Sequence, residues 1–253
     1  AEQLIVIWHL NAVGYILWLF GLVLWFFYQY TIFTFLMIVE KKPSIDLGIS
    51  GIWLVSIVST QSVAVLGARL SVAYPQTYIV SLIMYFIGWI TYLVIIGMIS
   101  YRLLFFKLDP KDITGTYWIN MGAAAITTLA GSLLILNANS SLSSMSTIMP
   151  FIEGSTLMIW AYGSWWIPWL FIIGAWRHTI GKVKFLSYDP QFWGAVFPMG
   201  MYTDCTHIMI EATGFTELYI IPNIFIYIAI LAWIYEATGL MYNIFRKITT
   251  NYI

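Results

Sequence analysis

The chain has 253 residues, of which 61% are hydrophobic, 18% aromatic and only 9% charged, and its formal net charge is zero. Because about 25% of the residues of a soluble domain are charged, this composition excludes a soluble domain and predicts an integral membrane protein in contact with the lipid bilayer. The balanced charge gives no indication of a nucleic-acid partner, and the single Cys205 excludes an internal disulfide.

Seven apolar stretches are each long enough to cross about 30 Å of hydrocarbon as a helix. They cover residues 12–39, 49–70, 78–106, 117–136, 148–176, 192–212 and 219–245. Long stretches of about 27–29 residues alternate with short ones of about 20–22 residues, where about 20 are needed. The chain is therefore predicted to be all-α, a polytopic membrane protein whose single transmembrane domain, residues 1–253, contains seven helices.

The two length classes differ in composition. The long stretches are rich in tryptophan and phenylalanine, which is typical of lipid-facing helices. The short stretches are rich in small and hydroxyl residues, which suit close helix contact or a water-filled lumen. Each short stretch also has a tryptophan near its start, at Trp53, Trp118 and Trp193. This pattern predicts three hairpins, each made of a short inner and a long outer helix, preceded by a long helix without a short partner.

The basic residues indicate the orientation of the chain. All except Arg69 fall on one side of the predicted membrane: Lys41, Lys42, Arg102, Lys107, Lys111, Arg177, Lys182, Lys184, Arg246 and Lys247. The positive-inside rule places this side in the cytoplasm, so the C-terminus is expected inside a plasma (cell inner) membrane and Ala1 outside. An outside start without a signal peptide predicts an odd number of further spans upstream or a cleaved leader, and a fragment is the favoured interpretation.

The sixth stretch carries a helix breaker at membrane depth. Pro198 has no N–H group, and its ring crowds the carbonyl of Gly194 four residues earlier. Irregular backbone at this depth is tolerated where protein or a water-filled cavity satisfies it. We therefore expect a helix kinked by Pro198, Gly194 and Gly200 that borders a lumen.

The same stretch places several side chains on one helix face. Steps of four, seven and fourteen residues bring Phe197, Met201, Asp204 and Glu211 to one side, and His207 shares a face with the two carboxylates. Ionisable groups inside a span are functional candidates by default. A carboxylate repels an anion unless it is protonated, so Asp204, His207 and Glu211 are candidates either for proton coupling or for a subunit interface. Glu211 is equally explained by a place at the outer membrane boundary.

A metal site is the weaker interpretation of these side chains. The spacing of Asp204, His207 and Glu211 suits a metal ion, but no second cluster of histidine or cysteine supplies further ligands. Neither a metal nor another cofactor is expected. The pairing of Glu236, alone in the last span, stays open between one of these groups and Arg69.

Four strings carry a resemblance to a known family. They are WLVSIVSTQSVAVLGA (53–68), YWINMGAAAITTLAGS (117–132), WWIPWLFIIGAWRH (165–178) and YDPQFWGAVFPMGMYT (188–203). Together they resemble the tellurite-resistance/C4-dicarboxylate transporter family, relatives of the plant slow anion channels. The resemblance implies a ten-helix fold of five hairpins around a central pore, assembly as a homotrimer, and a chain that corresponds to helices four to ten and lacks three N-terminal helices. It also implies that Phe197, in the motif FPMG, closes the pore beside a kink at Pro198.

The leading hypothesis is a channel or transporter for anions, such as malate and other C4-dicarboxylates, tellurite or small inorganic anions. The lining candidates are Thr60, Gln61, Thr127, Thr128 and Met201, and the hydroxyl and amide groups among them are equally well explained as helix-to-helix contacts. A proton-coupled carrier is the alternative to a channel. A seven-helix receptor is the rival class, although no cysteine pair ties the outer loops and the last span has no lysine for a retinal. An enzyme is not expected, because neither H-E-x-x-H nor G-x-S-x-G occurs.

Overall fold

A computed structural model describes residues 2–138, 143–182 and 188–250. Within these ranges the chain is helical and contains no strand, which confirms the all-α prediction. The helices are α1 (Glu2–Val6), α2 (Asn11–Ile38), α3 (Ile45–Gly48), α4 (Val55–Leu70), α5 (Gln76–Phe105), α6 (Ile119–Leu136), α7 (Ser143–Thr179), α8 (Trp193–Thr213) and α9 (Ile220–Thr250). The predicted stretches match α2 and α4–α9, although α7 extends several residues beyond its predicted bounds at both ends. Lys184 lies outside the described residues.

Six helical segments of the described chain are long and apolar enough to cross a membrane. They are Asn11–Ile38, Gly51–Leu70, Gln76–Phe105, Gly115–Leu136, Thr147–Thr179 and Thr216–Arg246. The seventh predicted helix, α8, has 21 residues but is not among the six, because Asp204, His207, Glu211 and its glycines lower its hydropathy. The polytopic fold is therefore confirmed. Among the predicted spans, α8 alone is long enough to cross the membrane but falls below the hydropathy of the other six.

The short helices α4 and α6 are more buried than the long helices. In the most apolar window of each segment, 83% of the residues of the α6 segment and 56% of the α4 segment are buried within the chain, against 44% for α5, 28% for α7 and 6% for both α2 and α9. Helix α6 lies between α4 and α8 and packs against both. Its glycine, alanine and threonine side chains let the neighbouring backbones approach closely.

The hairpins form as the alternating lengths predict. Helix α4 packs against α5, α6 against α7, and α8 against α9, while the leading helix α2 packs along α4. Each outer helix therefore covers the inner helix that precedes it in the sequence.

The three inner helices begin in the same way. A short 3₁₀ turn precedes each of them, at Gly51–Leu54, Gly115–Trp118 and Pro190–Phe192. A side chain at Gly51 would collide with the backbone of Thr116, and one at Gly115 would collide with the backbone of Gln191. Glycine is therefore required where these turns meet, and the contacts hold the starts of α4, α6 and α8 side by side.

A buried arginine ties together the end of the bundle that carries most of the basic residues. The Nε of Arg102, at the end of α5, donates to the carbonyl of Asp46 at 2.7 Å, and its guanidinium also donates to the Tyr117 hydroxyl. A guanidinium nitrogen lies 3.7 Å from the Asp112 carboxylate. Arg102 is 7% exposed, so its charge is compensated by these groups rather than by bulk water.

Candidate functional site

Helix α8 has one buried and one exposed face. The buried residues, on the side of the helix that packs into the bundle, are Ala195, Pro198, Met199, Tyr202, Cys205, Thr206, Met209 and Ile210. The exposed residues are Phe197, Gly200, Asp204, His207 and Glu211. All of them except Gly200 belong to the face that the helical spacing predicted. Met201, which the spacing placed with them, is half-buried and borders the packed side.

Phe197 is held on the exposed side by its neighbour. Its side chain is 46% exposed, whereas Pro198 is buried. The Pro198 ring packs against Gly122 of α6, where an added Cβ would lie 2.7 Å from the Pro198 Cγ. Helix α8 continues through Pro198, so this contact fixes which side of α8 meets α6 and leaves Phe197 on another side.

The two glycines predicted to accompany the kink differ in their surroundings. Gly194 faces the turn before α6, where an added Cβ would lie 3.3 Å from the Gly115 carbonyl oxygen. Gly200 is exposed, and an added Cβ would meet nothing within 4 Å. Close packing explains Gly194, whereas no contact in the described chain requires a glycine at position 200.

Charged groups from three helices meet near the C-terminal half of α8. His207 Nε2 lies 3.4 Å from Glu211 Oε1. Arg69 Nε, at the end of α4, lies 3.2 Å from Glu2 Oε1 on α1. Both Glu2 and Arg69 are close enough to Asp204 to interact with its charge. The sequence predicted the α8 part of this group but not the contribution of α1.

Glu236 does not belong to this group of charged residues. It is 3% exposed, and the charged group that acts on it is Asp189, in the turn before α8. Arg69 pairs with Glu2. Of the two pairings left open by the sequence, the one between Glu236 and Arg69 is therefore not formed.

Two grooves flank the row of inner helices. One, of about 720 Å³, lies between α8 and α9 and is lined by Gly200, Asp204 and His207 among others. The other, of about 980 Å³, lies between α2 and α4 and is lined by Ser59 and Ser62 together with aromatic side chains of α2. Phe197 is not among the described residues that line the α8–α9 groove, although Val196 and Gly200 are.

The predicted lining hydroxyl and amide groups are buried in contacts within the chain. Thr127 and Thr128 donate to the carbonyls of Ala123 and Ala124, four residues earlier, at 2.7 and 2.9 Å. Gln61 donates to a backbone carbonyl of α5 at 3.1 Å. These contacts favour the helix-contact interpretation, and a lining role stays a prediction.

The fourth lining candidate has the same placement. Thr60 is 2% exposed and accepts a hydrogen bond from Trp25 Nε1 at 2.8 Å. The exposed hydroxyls of α4 belong to Ser59 and Ser62 instead. Their spacing of three residues within the string STQS, which puts them on one helix face, was the signal available in the sequence.

Among the residues that the structure describes, no group of three or more histidine, cysteine, aspartate or glutamate side chains is arranged to hold a metal ion. Asp204, His207 and Glu211 share a helix face without forming such a group. Their charges act on one another across the surface of α8.

Comparisons with known proteins bear on the whole chain. Residues 2–241 match the profile of the SLAC1 family, described as "Voltage-dependent anion channel". An uncharacterized membrane protein of Mycobacterium tuberculosis is 36% identical over 111 residues, which are 44% of this chain and 55% of that protein. An uncharacterized transporter of Methanocaldococcus jannaschii is 25% identical over 207 residues, 80% of this chain and 58% of that protein. The chain thus spans little more than half the length of these relatives. No solved structure matches it.

Proposed function

The chain belongs to the SLAC1 family of voltage-dependent anion channels, and from this premise we propose that α4, α6 and α8 border a transmembrane path for small anions that Phe197 gates. The function at family level, an anion channel or transporter, follows from membership. The gate, the path and the substrate are the proposal.

The position of Phe197 is the observation that supports its role as a gate. A large apolar side chain is 46% exposed on an inner helix whose opposite face is packed into the bundle. The contact between Pro198 and Gly122 fixes that orientation. An aromatic ring across a narrow lumen blocks ions by filling the bore and excluding water, which is the role we assign to Phe197.

The exposed polar groups of the inner helices support an anion path. Ser59 and Ser62 on α4 are exposed, and their hydroxyls donate to the carbonyls of Ser56 and Val58 of the same helix at 2.8 and 2.7 Å. Rotation of these exposed hydroxyls would let them donate to an ion instead and replace part of its hydration shell. Neutral donors bind an anion weakly enough for it to leave, which conduction requires. The cargo is proposed to be a C4-dicarboxylate such as malate, tellurite, or a small inorganic anion.

Assembly and location complete the proposal. We place the protein in the plasma membrane with its C-terminus in the cytoplasm, because the basic residues cluster at one end of the helices. We propose that the protein assembles as a homotrimer, as the resemblance of its sequence to the transporter family implies.

The gate is tested by electrical recording. The full-length protein is reconstituted into planar bilayers, and currents are recorded with chloride, nitrate, sulfite, malate and tellurite for the wild type and for Phe197→Ala. The variant is expected to conduct several-fold more current at equal protein density. Phe20→Ala, which removes a 61% exposed ring from α2, is the matched control and is expected to leave the current unchanged. Equal or lower current for Phe197→Ala across the panel would refute the gate.

A proton-coupled carrier is the second candidate, favoured by one observation. Asp204 lines the α8–α9 groove together with His207, and His207 pairs with Glu211 at 3.4 Å. A carboxylate beside an anion path admits its cargo best when protonated. Proton uptake at Asp204 would thereby couple to anion entry.

A further inference from the structure

A small internal cavity lies between α6, α7 and the turn before α8, at the end of the bundle that carries Arg102 and Lys107. Its volume is about 30 Å³, whereas a single water needs roughly 10–15 Å³. A chloride or bromide ion is only moderately larger than a water molecule. We call this space the basic-end cavity, and it is separate from the α8 face that carries Phe197.

Three buried polar residues among those that line the basic-end cavity carry atoms that have no hydrogen-bond partner among the described residues. They are both amide atoms of Asn120, Nε1 of Trp166 and Nε of Arg177. The exposed fractions of these residues are 0%, 4% and 8%. A buried polar group without a partner is unfavourable, so three such residues around one cavity indicate that a polar guest occupies it.

The chemistry of the lining selects the charge of the guest. Trp166 Nε1 and Arg177 Nε only donate hydrogen bonds, and the Asn120 amide offers two further donors. The guanidinium of Arg177 adds a fixed positive charge and also lies 5.1 Å from the centre of the Phe192 ring. Among the described residues that line the cavity none is acidic. Hydrogen bonds from charged donors to an anion are about twice as strong as neutral ones.

Two hydroxyl groups of the lining residues and one nearby carboxylate are already engaged. The Tyr117 hydroxyl, which belongs to a lining residue, accepts a hydrogen bond from Arg102. The Thr114 hydroxyl pairs with that of Thr116 at 2.8 Å. The nearby carboxylate of Asp112 pairs with Arg102 at 3.7 Å. Among the described lining residues, Asn120, Trp166 and Arg177 are those with buried side-chain atoms that lack a hydrogen-bond partner.

We propose that the basic-end cavity binds one small monovalent inorganic anion, of the size of chloride or bromide, through Asn120, Trp166 and Arg177. Asn120 turns its amide nitrogen toward the ion. The proposal does not rest on the gate at Phe197, because Phe197 is not among the described residues that line this cavity. A bound water molecule is the competing occupant, and the test below separates the two.

The test uses the purified full-length chain with bromide as the probe. Sodium bromide replaces sodium gluconate at constant ionic strength while the melting temperature is measured, since gluconate is too large for the cavity. A ligand that binds only the folded protein raises its melting temperature in a saturable manner. We expect such a rise for the wild type. Trp166→Phe, which removes one donor and keeps an aromatic ring, should weaken the apparent bromide affinity at least about tenfold.

Matched variants separate the cavity from its surroundings. Trp165→Phe changes the neighbouring tryptophan, which is 53% exposed, and Lys107→Gln removes an exposed charge from the same end. Both are expected to keep the wild-type response. Arg177→Gln is expected to abolish it. If Arg177→Gln does not fold, Trp166→Phe still decides the outcome.

Crystallography gives the independent readout. Crystals of the full-length protein grown with bromide should show an anomalous peak in the cavity beside Arg177 Nε and Trp166 Nε1. A peak without anomalous signal means water and overturns the proposal. A bromide response of Trp166→Phe equal to that of the wild type overturns it as well.

Discussion

The ring of Pro198 on α8 packs directly against Gly122 on α6, where a Cβ added to Gly122 would lie 2.7 Å from Cγ and 2.8 Å from Cβ of the proline. The proline thus fills the space that a missing side chain leaves on the neighbouring inner helix. The contact joins two residues that are far apart in sequence and sets the direction in which Phe197 projects.

Gly122→Ala is expected to destabilise the protein. The added methyl group overlaps a rigid ring, and overpacking of this kind typically costs about 1–3 kcal/mol. The measurement is the melting temperature of the purified protein in detergent. Gly97→Ala on α5, where an added Cβ meets nothing within 4 Å, serves as the control and should be neutral or slightly stabilising because alanine favours helix. A melting temperature unchanged by Gly122→Ala would mean that α6 and α8 are not fixed at this contact.

A graded series at position 197 is expected to order conductance by side-chain size. If the ring blocks the path by its bulk, single-channel current should increase from phenylalanine to leucine to alanine. Single-channel recordings at equal protein density, with the anion panel described above, measure this current. If the current does not follow the size of the side chain, the bulk at position 197 does not limit the current.

Asp204→Asn is expected to remove the pH dependence of transport if this carboxylate couples protons to anions. Protonation removes the negative charge that repels the cargo, so wild-type uptake should rise as the pH falls. Asparagine imitates the protonated acid and should give a high uptake at every pH. Uptake of a labelled dicarboxylate into proteoliposomes from about pH 4, near the ordinary aspartate pKa, up to about pH 8 measures it. Glu153→Gln, an exposed carboxylate on α7, is the control, and an unchanged pH profile in Asp204→Asn excludes the coupling role.

Thr127→Val and Ser59→Val separate packing from lining. The Thr127 hydroxyl is buried and bonded to its own helix at 2.7 Å, so its loss should cost only about 0.5–1.5 kcal/mol of stability and leave anion selectivity unchanged. Ser59 is exposed on α4, so a valine there should alter the relative permeability of chloride and nitrate. Reversal potentials measure both effects. Altered selectivity in Thr127→Val alone would instead support the lining role predicted from the sequence.

Arg102→Met is expected to be strongly destabilising. It leaves the Asp46 carbonyl and the Tyr117 hydroxyl without their donor and the Asp112 carboxylate without its ion pair. A buried acceptor left without its donor costs about 1–3 kcal/mol, whereas the Asp112 carboxylate is half-exposed and its lost ion pair adds little. The yield of monodisperse protein and its melting temperature measure the loss. Lys107→Gln, an exposed charge on the same side, should change neither, and a stable Arg102→Met protein would contradict the structural role of this network.

Much of the fold could be predicted, and part of the candidate site. The alternation of long aromatic and short small-residue stretches gave the hairpins and the inner position of α4 and α6. The exposed face of α8 with Phe197, Asp204 and Glu211 followed from helical spacing, whereas Met201 turned out to be half-buried. The assignment of buried threonines as lining candidates shows the limit, because a hydroxyl group on an inner helix suits a lumen and a helix contact equally well.

The sequence by itself determined the membrane, the helices and their pairing, because a bilayer demands apolar segments of fixed length and helical periodicity is a local property. The tertiary structure alone decided which distant residues meet. It brought Pro198 to Gly122, Arg69 to Glu2, and Asn120 to Trp166 and Arg177. Helical periodicity indicates which face of a helix is packed, but it does not indicate which residue of a neighbouring helix that face meets.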